Sequence, residues 1–225
     1  MPVLTYILTA LGAYLFGSVP TGYLVAKARG IDIRKTGSGN IGATNAMRVL
    51  GKPAGIFVLL VDAAKGYIAC KVLPPIIFDL LTPPSSGLAM FFQTEPEDIQ
   101  MRFFILAGIC AVLGHNYTCW LKFKGGKGIA TTAGVYLALA PWAVLAALIV
   151  FVLAVVLTRY VSVGSIAAAV ALPLTVWILS PQKLLLCVVT TALAALAIYK
   201  HKSNIERLRA GTENRLGQKK SGDAK

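Results

Sequence analysis

The sequence contains few charged residues, and acidic residues are the scarcer kind. Only 14% of its 225 residues are charged, whereas about a quarter are charged in an average soluble protein. Hydrophobic residues make up 56% of the chain, and the mean hydropathy is +0.71. Several apolar runs approach the roughly 20 residues that a helix needs to cross a bilayer. The composition therefore excludes a soluble domain and predicts an all-α integral membrane protein with several spans.

Cysteine and histidine are also scarce. The four cysteines lie in apolar segments without metal-ligand spacing, so they are expected to act as small hydrophobic side chains. Two histidines and the absence of a G-x-S-x-G motif leave few candidate general bases. No carboxylate cluster suits magnesium, since Asp32 and Asp62 are far apart in the sequence. We therefore expect no metal and no cofactor, which argues against metal-dependent phosphatidyl transfer.

Basic residues, by contrast, are concentrated in three segments: 26–53, 122–127 and the tail from 200. The loop 82–100 contains acidic residues and no lysine or arginine. Positive charge marks cytoplasmic loops, so the three basic segments are predicted to be cytoplasmic and 82–100 extracytoplasmic. The basic face could also simply bind anionic lipid headgroups. No cleavable signal peptide is expected, because no basic segment precedes the first apolar run.

Hydropathy and charge together predict seven transmembrane helices, with the N-terminus outside and the C-terminus cytoplasmic. The apolar stretch from about 129 to 158 is too long for one span, and Pro141 divides it. The first part, near 128–140, is expected to be short or only partly inserted. One transmembrane domain is predicted over 1–225. The predicted helices are 3–25, 54–80, 102–121, 128–140, 142–158, 162–180 and 183–199.

The second apolar segment contains two ionisable residues, Asp62 and Lys65. They are three positions apart on one helix face and close enough to pair. Ionisable residues inside a membrane suggest a functional site, but this pair could equally be structural and anchor the basic loop. His115, at a predicted helix end, is expected to form structural hydrogen bonds.

The cytoplasmic segment 26–53 contains the string GSGNIGATN, residues 37–45. Its first six letters fit the G-x-G-x-x-G dinucleotide motif, and Asp62 lies twenty residues beyond Gly42. A membrane protein has no parallel sheet for that motif, so we interpret the segment as an anion site. A helix beginning near Ala43 would add its N-terminal dipole, and Arg48 adds charge. The predicted binding residues are Gly37, Ser38, Gly39, Asn40 and Asn45; a flexible loop is the alternative.

The segment 114–132 resembles half of a phosphate-binding loop. Gly125, Gly126, Lys127 and Gly128 precede a predicted helix, although the full Walker pattern is not met. Phosphate binding is therefore expected and ATP hydrolysis is not. The segment 200–217 contains His201 followed by Glu206, close to the H-x-x-x-x-D motif of common glycerolipid acyltransferases. This charged segment could also be a surface amphipathic tail.

The three segments together predict cytoplasmic loops that bind a small phosphorylated molecule, with an apolar co-substrate arriving from the bilayer. One alternative is a transporter of phosphate or a phosphorylated metabolite. The inverted repeats that many transporters contain are not visible in the sequence. A non-catalytic anchor at the lipid surface is a further alternative.

Three strings, GSVPTGYL…DIRKTGSGNIGATNAMRVLG, GHNYTCWLKFKGGKGIAT and HKSNIERLRAGTE, resemble the motifs of the bacterial acyl-phosphate:glycerol-3-phosphate acyltransferase (PlsY) family in order and spacing. The resemblance implies acyl transfer from acyl phosphate to the 1-hydroxyl of glycerol 3-phosphate. The products are lysophosphatidic acid and phosphate, in the first step of phospholipid synthesis. The residues that follow His115 differ from the Phe-Pro-rich sequence that is usual in the family. The loop 82–100 is longer than the corresponding loop of the family.

The same resemblance implies the site residues. Ser38, Arg48, His201 and Asn204 would be catalytic, and the glycines around Lys127 would bind glycerol 3-phosphate. Ser165 matches a further family feature, and Glu213 would be structural. His201 is either the general base or a phosphate ligand, with a substrate phosphate then accepting the proton.

The resemblance also implies the surroundings of the reaction. The partners are glycerol 3-phosphate, long-chain acyl phosphate and membrane lipids, without nucleic acid. The resemblance also implies functional coupling to the enzyme that produces acyl phosphate. The implied location is the bacterial cytoplasmic (inner) membrane, with the active site on the cytoplasmic side.

Overall fold

The computed structural model describes residues 3–81 and 96–217, and every regular element within them is helical. The predicted all-α class is therefore confirmed for the described part of the chain. Two 3₁₀ turns, Ile33–Lys35 and Cys119–Leu121, lie in the connections. The helices are α1 (Val3–Ser18), α2 (Thr21–Lys27), α3 (Ala43–Leu50), α4 (Lys52–Lys71), α5 (Leu73–Leu81), α6 (Glu97–Asn116), α7 (Ile129–Leu139), α8 (Pro141–Thr158), α9 (Val161–Leu179), α10 (Leu184–Lys200) and α11 (Lys202–Arg209).

Among the described residues, four stretches are long and apolar enough to cross a membrane. A fifth results if α10 and α11, which are bent by 51°, count as one span. The seven crossings expected from the sequence exceed this number, so their count and orientation stay predictions. Most of the predicted extracytoplasmic loop, residues 82–95, lies outside the described residues. The four stretches are Val3–Lys27, Glu97–Leu121, Pro141–Thr158 and Val161–Leu179.

Prolines lie at three divisions of the apolar segments, of which the sequence predicts one. The break at Pro141 is confirmed, because α7 ends at Leu139 and α8 begins at Pro141. The 11 residues of α7 reach only about 16 Å, roughly half the hydrocarbon thickness. Pro20 separates α1 from α2. The predicted helix 54–80 is in fact two helices, since Val72 interrupts it and two prolines occupy the first turn of α5.

The chain forms two compact units, Met1–Pro141 and Trp142–Lys225. In the first unit, glycines allow α4 to approach α7 at van der Waals distance. A β-carbon on Gly66 would overlap the carbonyl oxygen of Thr131, and one on Gly134 would overlap that of Ala63. Close approach through small residues is the usual packing mode of membrane helices. It fixes the start of α7, and therefore the end of the glycine-rich loop before it.

A hydrophobic cluster beneath the loops connects the first two polar segments. Buried side chains from segment 26–53 pack with Val58 of α4 and with Leu121 from the second 3₁₀ turn. In the second unit, α9 packs on α10, and Trp177 Nε1 donates a 3.1 Å hydrogen bond to Thr191 Oγ1. The members of the cluster are Ala26, Ile33, Ile41, Ala46, Val58 and Leu121.

Candidate functional site

The buried amide of Asn45 organises the loop that contains GSGN. Its Nδ2 donates to the carbonyl oxygens of Thr36 and Asn40, at 3.0 and 2.8 Å, and more distantly to that of Ile33, at 3.3 Å. Its Oδ1 accepts a 2.8 Å hydrogen bond from the backbone N–H of Ser38. Asn45 is only 2% exposed, and its amide holds two loop carbonyl groups and one loop N–H by hydrogen bonds, with the Ile33 carbonyl as a weaker, shared contact.

Glycines let this loop fold around the asparagine. Gly37 and Gly39 have φ of 64° and 73°, in the left-handed region that favours glycine. A β-carbon on Gly37 would also overlap Asn45 Oδ1. Between the two glycines, Ser38 is exposed, and its backbone amide donates to Asn45 Oδ1. The turn therefore leaves Ser38 at the surface while its backbone N–H is bonded to Asn45.

The same loop is closed on both sides by polar contacts. The predicted helix near Ala43 is confirmed as α3, and Asn40 Oδ1 accepts from Gly42 N at 2.8 Å just before it. Arg48 lies exposed on α3, and its Nη1 is 3.5 Å from Asn45 Oδ1. On the other side, Arg34 donates two hydrogen bonds to Asp32, at 2.9 and 2.8 Å. These hydrogen bonds hold the pKa of Asp32 at about 2.

An Asn45→Ala variant should lower the free energy of unfolding by roughly 2–4 kcal/mol, because several buried backbone groups lose their partner. The matched control is Asn40→Ala, which removes the hydrogen bond accepted from Gly42 N and should cost about 1 kcal/mol. Thermal unfolding of both variants in detergent measures the difference. Equal melting temperatures for the two variants would contradict the organising role of Asn45.

The second loop, 117–128, is tied to the end of α6 by its backbone. Gly125 N donates to Asn116 O at 3.2 Å, and Gly126 N donates to His115 O at 3.0 Å. Gly128 adopts φ of 80° immediately before α7. Lys127 is partly exposed within this turn, three residues from the exposed Lys124. The loop therefore holds a lysine and three glycines in a fixed turn at a helix N-terminus, a combination suited to phosphate.

The predicted pair of ionisable residues in α4 is confirmed. Lys65 Nζ lies 2.7 Å from Asp62 Oδ1, and both side chains are about 95% buried. Thr21 Oγ1 donates to the same carboxylate oxygen at 3.0 Å. The lysine also lies 3.1 Å from Nδ1 of His115, a contact that the sequence did not predict. The expected structural hydrogen bonding of His115 is thus observed.

His201 lies at the bend between α10 and α11 and is 3% exposed. Its Nδ1 is 2.7 Å from the carbonyl oxygen of Ala197. A carbonyl oxygen only accepts, so Nδ1 carries a proton and, in the neutral ring, Nε2 has the lone pair. Glu206, the partner suggested by the H-x-x-x-x-D-like spacing, is exposed on α11 and is not the group at Nδ1.

Glu213 joins three side chains of the second unit. Its Oε1 accepts from Asn204 Nδ2 at 2.8 Å and from Ser162 Oγ at 3.1 Å. Its Oε2 accepts from Arg207 Nε at 2.7 Å. Burial alone would raise the pKa of Glu213, but the hydrogen bonds from Asn204 and Arg207 outweigh it and hold the pKa below its usual range. The carboxylate thereby fixes the orientation of the Asn204 amide.

A lowered pKa makes Glu213 a source of stability at neutral pH. This contribution is complete above the ordinary pKa of 4.5 and is lost as pH falls through the lower folded-state pKa. A Glu213→Gln variant lacks the titrating group, so its melting temperature should be lower than that of the parent at neutral pH. The gap should close as pH falls below about 4.5. A gap of constant size across this pH range, measured by thermal unfolding, would contradict the account.

The structure brings the first two polar segments together over one hydrophobic cluster, and it places His201, Asn204 and Glu213 in the second unit. Ser165 is also in that unit; it is buried, and its hydroxyl donates to Val161 O at 2.9 Å. Sequence reasoning missed Ser162 and Arg207, although Arg207 follows Asn204 by three positions on one helix face. In residues 3–81 and 96–217, no group of His, Cys, Asp and Glu could hold a metal ion.

Comparison with known proteins gives a consistent result along almost the whole chain. A family model described as glycerol-3-phosphate acyltransferase matches residues 7–211. The glycerol-3-phosphate acyltransferase of Geotalea daltonii is 47% identical over 208 residues, which cover 92% of this chain and 96% of the relative. That of Geobacter sulfurreducens is 46% identical over 210 residues, with 93% and 96% coverage.

Two crystal structures of PlsY (YgiH), an integral membrane glycerol 3-phosphate acyltransferase, are similar to this chain. The glycerol 3-phosphate form has a TM-score of 0.79 and 34% identity, covering 94% of this chain and 96% of the other. The lysophosphatidic acid form has a TM-score of 0.77 and 33% identity, with 94% and 95% coverage. Together with the apolar helices, this likeness shows an all-helical, multi-pass integral membrane protein.

Proposed function

Because the chain belongs to the glycerol-3-phosphate acyltransferase family, we propose that it transfers a fatty acyl group from acyl phosphate to the 1-hydroxyl of sn-glycerol 3-phosphate. The products are lysophosphatidic acid and inorganic phosphate. The observation that carries the proposal is the likeness, over 94% of this chain, to a structure in a glycerol 3-phosphate form. The two glycine-rich turns, one at Gly37 and Gly39 and the other at 125–128, are suited to binding anions, which is consistent with a reaction between two phosphorylated substrates.

The reaction needs no covalent acyl-enzyme. Acyl phosphate is a mixed anhydride, and its carbonyl carbon already has a good leaving group. The glycerol hydroxyl oxygen forms a bond to that carbon, and the bond from the carbon to the phosphate oxygen breaks. The hydroxyl proton goes to a base, and phosphate leaves with the electron pair. The protein supplies orientation, charge stabilisation and a proton acceptor.

In the first unit, the two loops supply phosphate binding. Lys127 binds the phosphate of glycerol 3-phosphate from within the turn that Gly125, Gly126 and Gly128 form. Ser38 and Arg48, with the turn formed by Gly37, Gly39 and Asn40, bind the acyl phosphate. The Asn45 network keeps Ser38 exposed and its amide fixed, which reduces the ordering that the substrate must supply.

In the second unit, His201 and Asn204 act on the reacting groups. The hydrogen bond from Nδ1 to Ala197 leaves Nε2 as the acceptor for the hydroxyl proton. Asn204 donates to Glu213 through Nδ2, so its Oδ1 is oriented to accept from a substrate hydroxyl. Ser165 contributes to substrate binding, and Glu213 is structural.

The proposal also includes the location of the protein in the cell and its place in lipid synthesis. We place the protein in the bacterial cytoplasmic membrane, with its active site on the cytoplasmic side, because the basic segments carry the polar clusters. The donor then reaches the site from the bilayer and glycerol 3-phosphate from the cytoplasm. This would be the first step of phospholipid synthesis, coupled in function to the enzyme that makes acyl phosphate.

Purified protein in detergent tests the donor directly. We expect lysophosphatidic acid from glycerol 3-phosphate and palmitoyl phosphate, and none when palmitoyl-CoA or palmitoyl-acyl carrier protein replaces the phosphate donor. Product from either thioester alone would contradict the proposed donor. No product from any donor, together with counterflow of glycerol 3-phosphate in liposomes, would favour a transporter instead.

A further inference from the structure

A buried cluster of three ionisable side chains lies beside the loop of the first unit that contains Gly125, Gly126 and Gly128. It consists of Asp62 and Lys65 on α4 and His115 at the end of α6, and each is at most 6% exposed. Burying charge is costly unless every charged group is paired. The roles assigned above do not involve these residues, so their burial calls for an explanation. We name them the Asp62–Lys65–His115 cluster.

The lysine is the centre of the cluster. Its ammonium group has three hydrogens and lies within hydrogen-bond distance of three acceptors. These are Asp62 Oδ1 at 2.7 Å, the carbonyl oxygen of Val19 at 2.9 Å and His115 Nδ1 at 3.1 Å. Val19 lies in the break between α1 and α2, so the lysine joins that break to α4 and α6.

The contact with lysine fixes the state of the histidine. An ammonium group only donates, so His115 Nδ1 accepts and, in the neutral ring, the proton lies on Nε2. The same nitrogen lies 3.8 Å from Asp62 Oδ1, so the ring contacts both members of the ion pair. The orientation of the ring is therefore set by Lys65, and the opposite edge of the ring faces away from the cluster.

That opposite edge faces the glycine-rich loop. A β-carbon on Gly126 would overlap His115 Nε2, and one on Gly125 would overlap the carbonyl oxygen of His115. The ring thus packs directly on the backbone next to Lys127. The loop is also held at its other end, since Gly66, beside Lys65 on α4, allows the start of α7 to approach. One face of α4 therefore supports both ends of the loop.

From this geometry we propose that the Asp62–Lys65–His115 cluster is a positioning device that holds the 125–128 loop, and with it Lys127, in the conformation that binds the phosphate of glycerol 3-phosphate. The proposal rests on the phosphate-binding role proposed for that loop. These residues act through the loop, so each is a positioning residue.

The test removes both charges of the ion pair at once. Asp62→Asn with Lys65→Met leaves no uncompensated buried charge, a replacement that buried pairs often tolerate. The KM for glycerol 3-phosphate should rise at least about tenfold, because misplacement of a binding group by about 1 Å is costly. The KM for palmitoyl phosphate should stay within about twofold, a split that general destabilisation would not produce.

Asp98→Asn with Arg102→Met is the matched control. It removes an exposed ion pair, 3.7 Å apart, from the start of α6, and both KM values should stay at the parent level. If the first double variant does not accumulate, His115→Asn gives the same test: its Oδ1 still accepts from Lys65, but it lacks the edge that packs on Gly126. The same rise in KM for glycerol 3-phosphate is then expected.

Hydrogen exchange separates this proposal from the proposed function. The amides of Gly125 and Gly126 donate to the end of α6, and their exchange should accelerate at least about tenfold in the double variant and not in the control. This readout needs no activity, so it holds even if the parent forms no lysophosphatidic acid. Parent-like exchange in the loop, with parent-like KM for glycerol 3-phosphate, would overturn the positioning role.

Discussion

A Lys127→Met variant is expected to lower kcat/KM for glycerol 3-phosphate by about a hundred- to a thousandfold, equivalent to roughly 3–4 kcal/mol of transition-state stabilisation. Lys127 supplies a positive charge within a turn whose glycine amides are already fixed to the end of α6. Methionine preserves the length of the side chain and removes the charge. Steady-state rates of lysophosphatidic acid formation at varied glycerol 3-phosphate measure the loss.

Lys124→Met is the matched control, because it removes an equal charge three residues away from an exposed side chain. Its kcat/KM should remain within about threefold of the parent value, since a solvent-screened charge contributes little. Both variants should melt at the parent temperature. Equal losses of kcat/KM in the two variants would mean that Lys127 acts only through the general positive field and is not a ligand of the phosphate.

The second large effect is expected at His201. In a His201→Gln variant, kcat should fall by about a hundred- to ten-thousandfold, because the amide cannot accept the hydroxyl proton. In the parent, the rate should fall at acid pH as His201 becomes protonated, since only the neutral ring has a lone pair on Nε2. The variant should lose this acid limb of the pH–rate profile. Both profiles are measured with palmitoyl phosphate at saturating glycerol 3-phosphate.

The neighbouring exposed residue provides the control for His201. Lys202→Gln changes the next position of the chain, where the side chain is exposed, and should preserve both kcat and the acid limb. If His201→Gln kept normal turnover with an unchanged pH dependence, the general-base role would be refuted. A large loss of kcat with the acid limb retained would instead point to a substrate phosphate as the proton acceptor.

Hydropathy and proline positions predicted much of the fold. The division at Pro141 follows from a single argument, that thirty helical residues exceed the hydrocarbon thickness, and α7 and α8 separate there. The interruption at Val72 was missed because the apolar run continues through it, although the two prolines that follow Leu73 are typical of the first turn of a new helix. The seven predicted crossings rest on hydropathy together with loop charge and the division at Pro141, whereas length and hydropathy alone find four or five candidates among the described residues.

The anion-binding chemistry of the two loops could be predicted from residue types, but their internal supports could not. Glycine, serine and lysine in short segments indicate phosphate binding wherever the loop lies in space. Asn45 is buried and bonded to backbone groups of the loop only because of the way in which the turn closes. The position of Asn45 in the sequence does not show whether its side chain is buried and holds the loop or is exposed and contacts a substrate.

Contacts between distant residues were the least predictable part of the site. The pairing of Asp62 with Lys65 follows from helix periodicity. The contact of Lys65 with His115, fifty residues further along, depends on the packing of α4 beside α6. The partners of Glu213 show the same limit, because Ser162 and Glu213 are 51 residues apart. Local sequence contains no signal for such a pair.

The most direct test of the central claim follows an oxygen-18 label in palmitoyl phosphate, placed at the oxygen that joins the acyl carbon to phosphorus. Acyl transfer breaks the bond between that carbon and that oxygen. Mass spectrometry should therefore find the label in the released phosphate, and lysophosphatidic acid whose ester oxygen comes from unlabelled glycerol 3-phosphate. Failure to form lysophosphatidic acid from this donor, or release of the label in palmitate, would contradict the account.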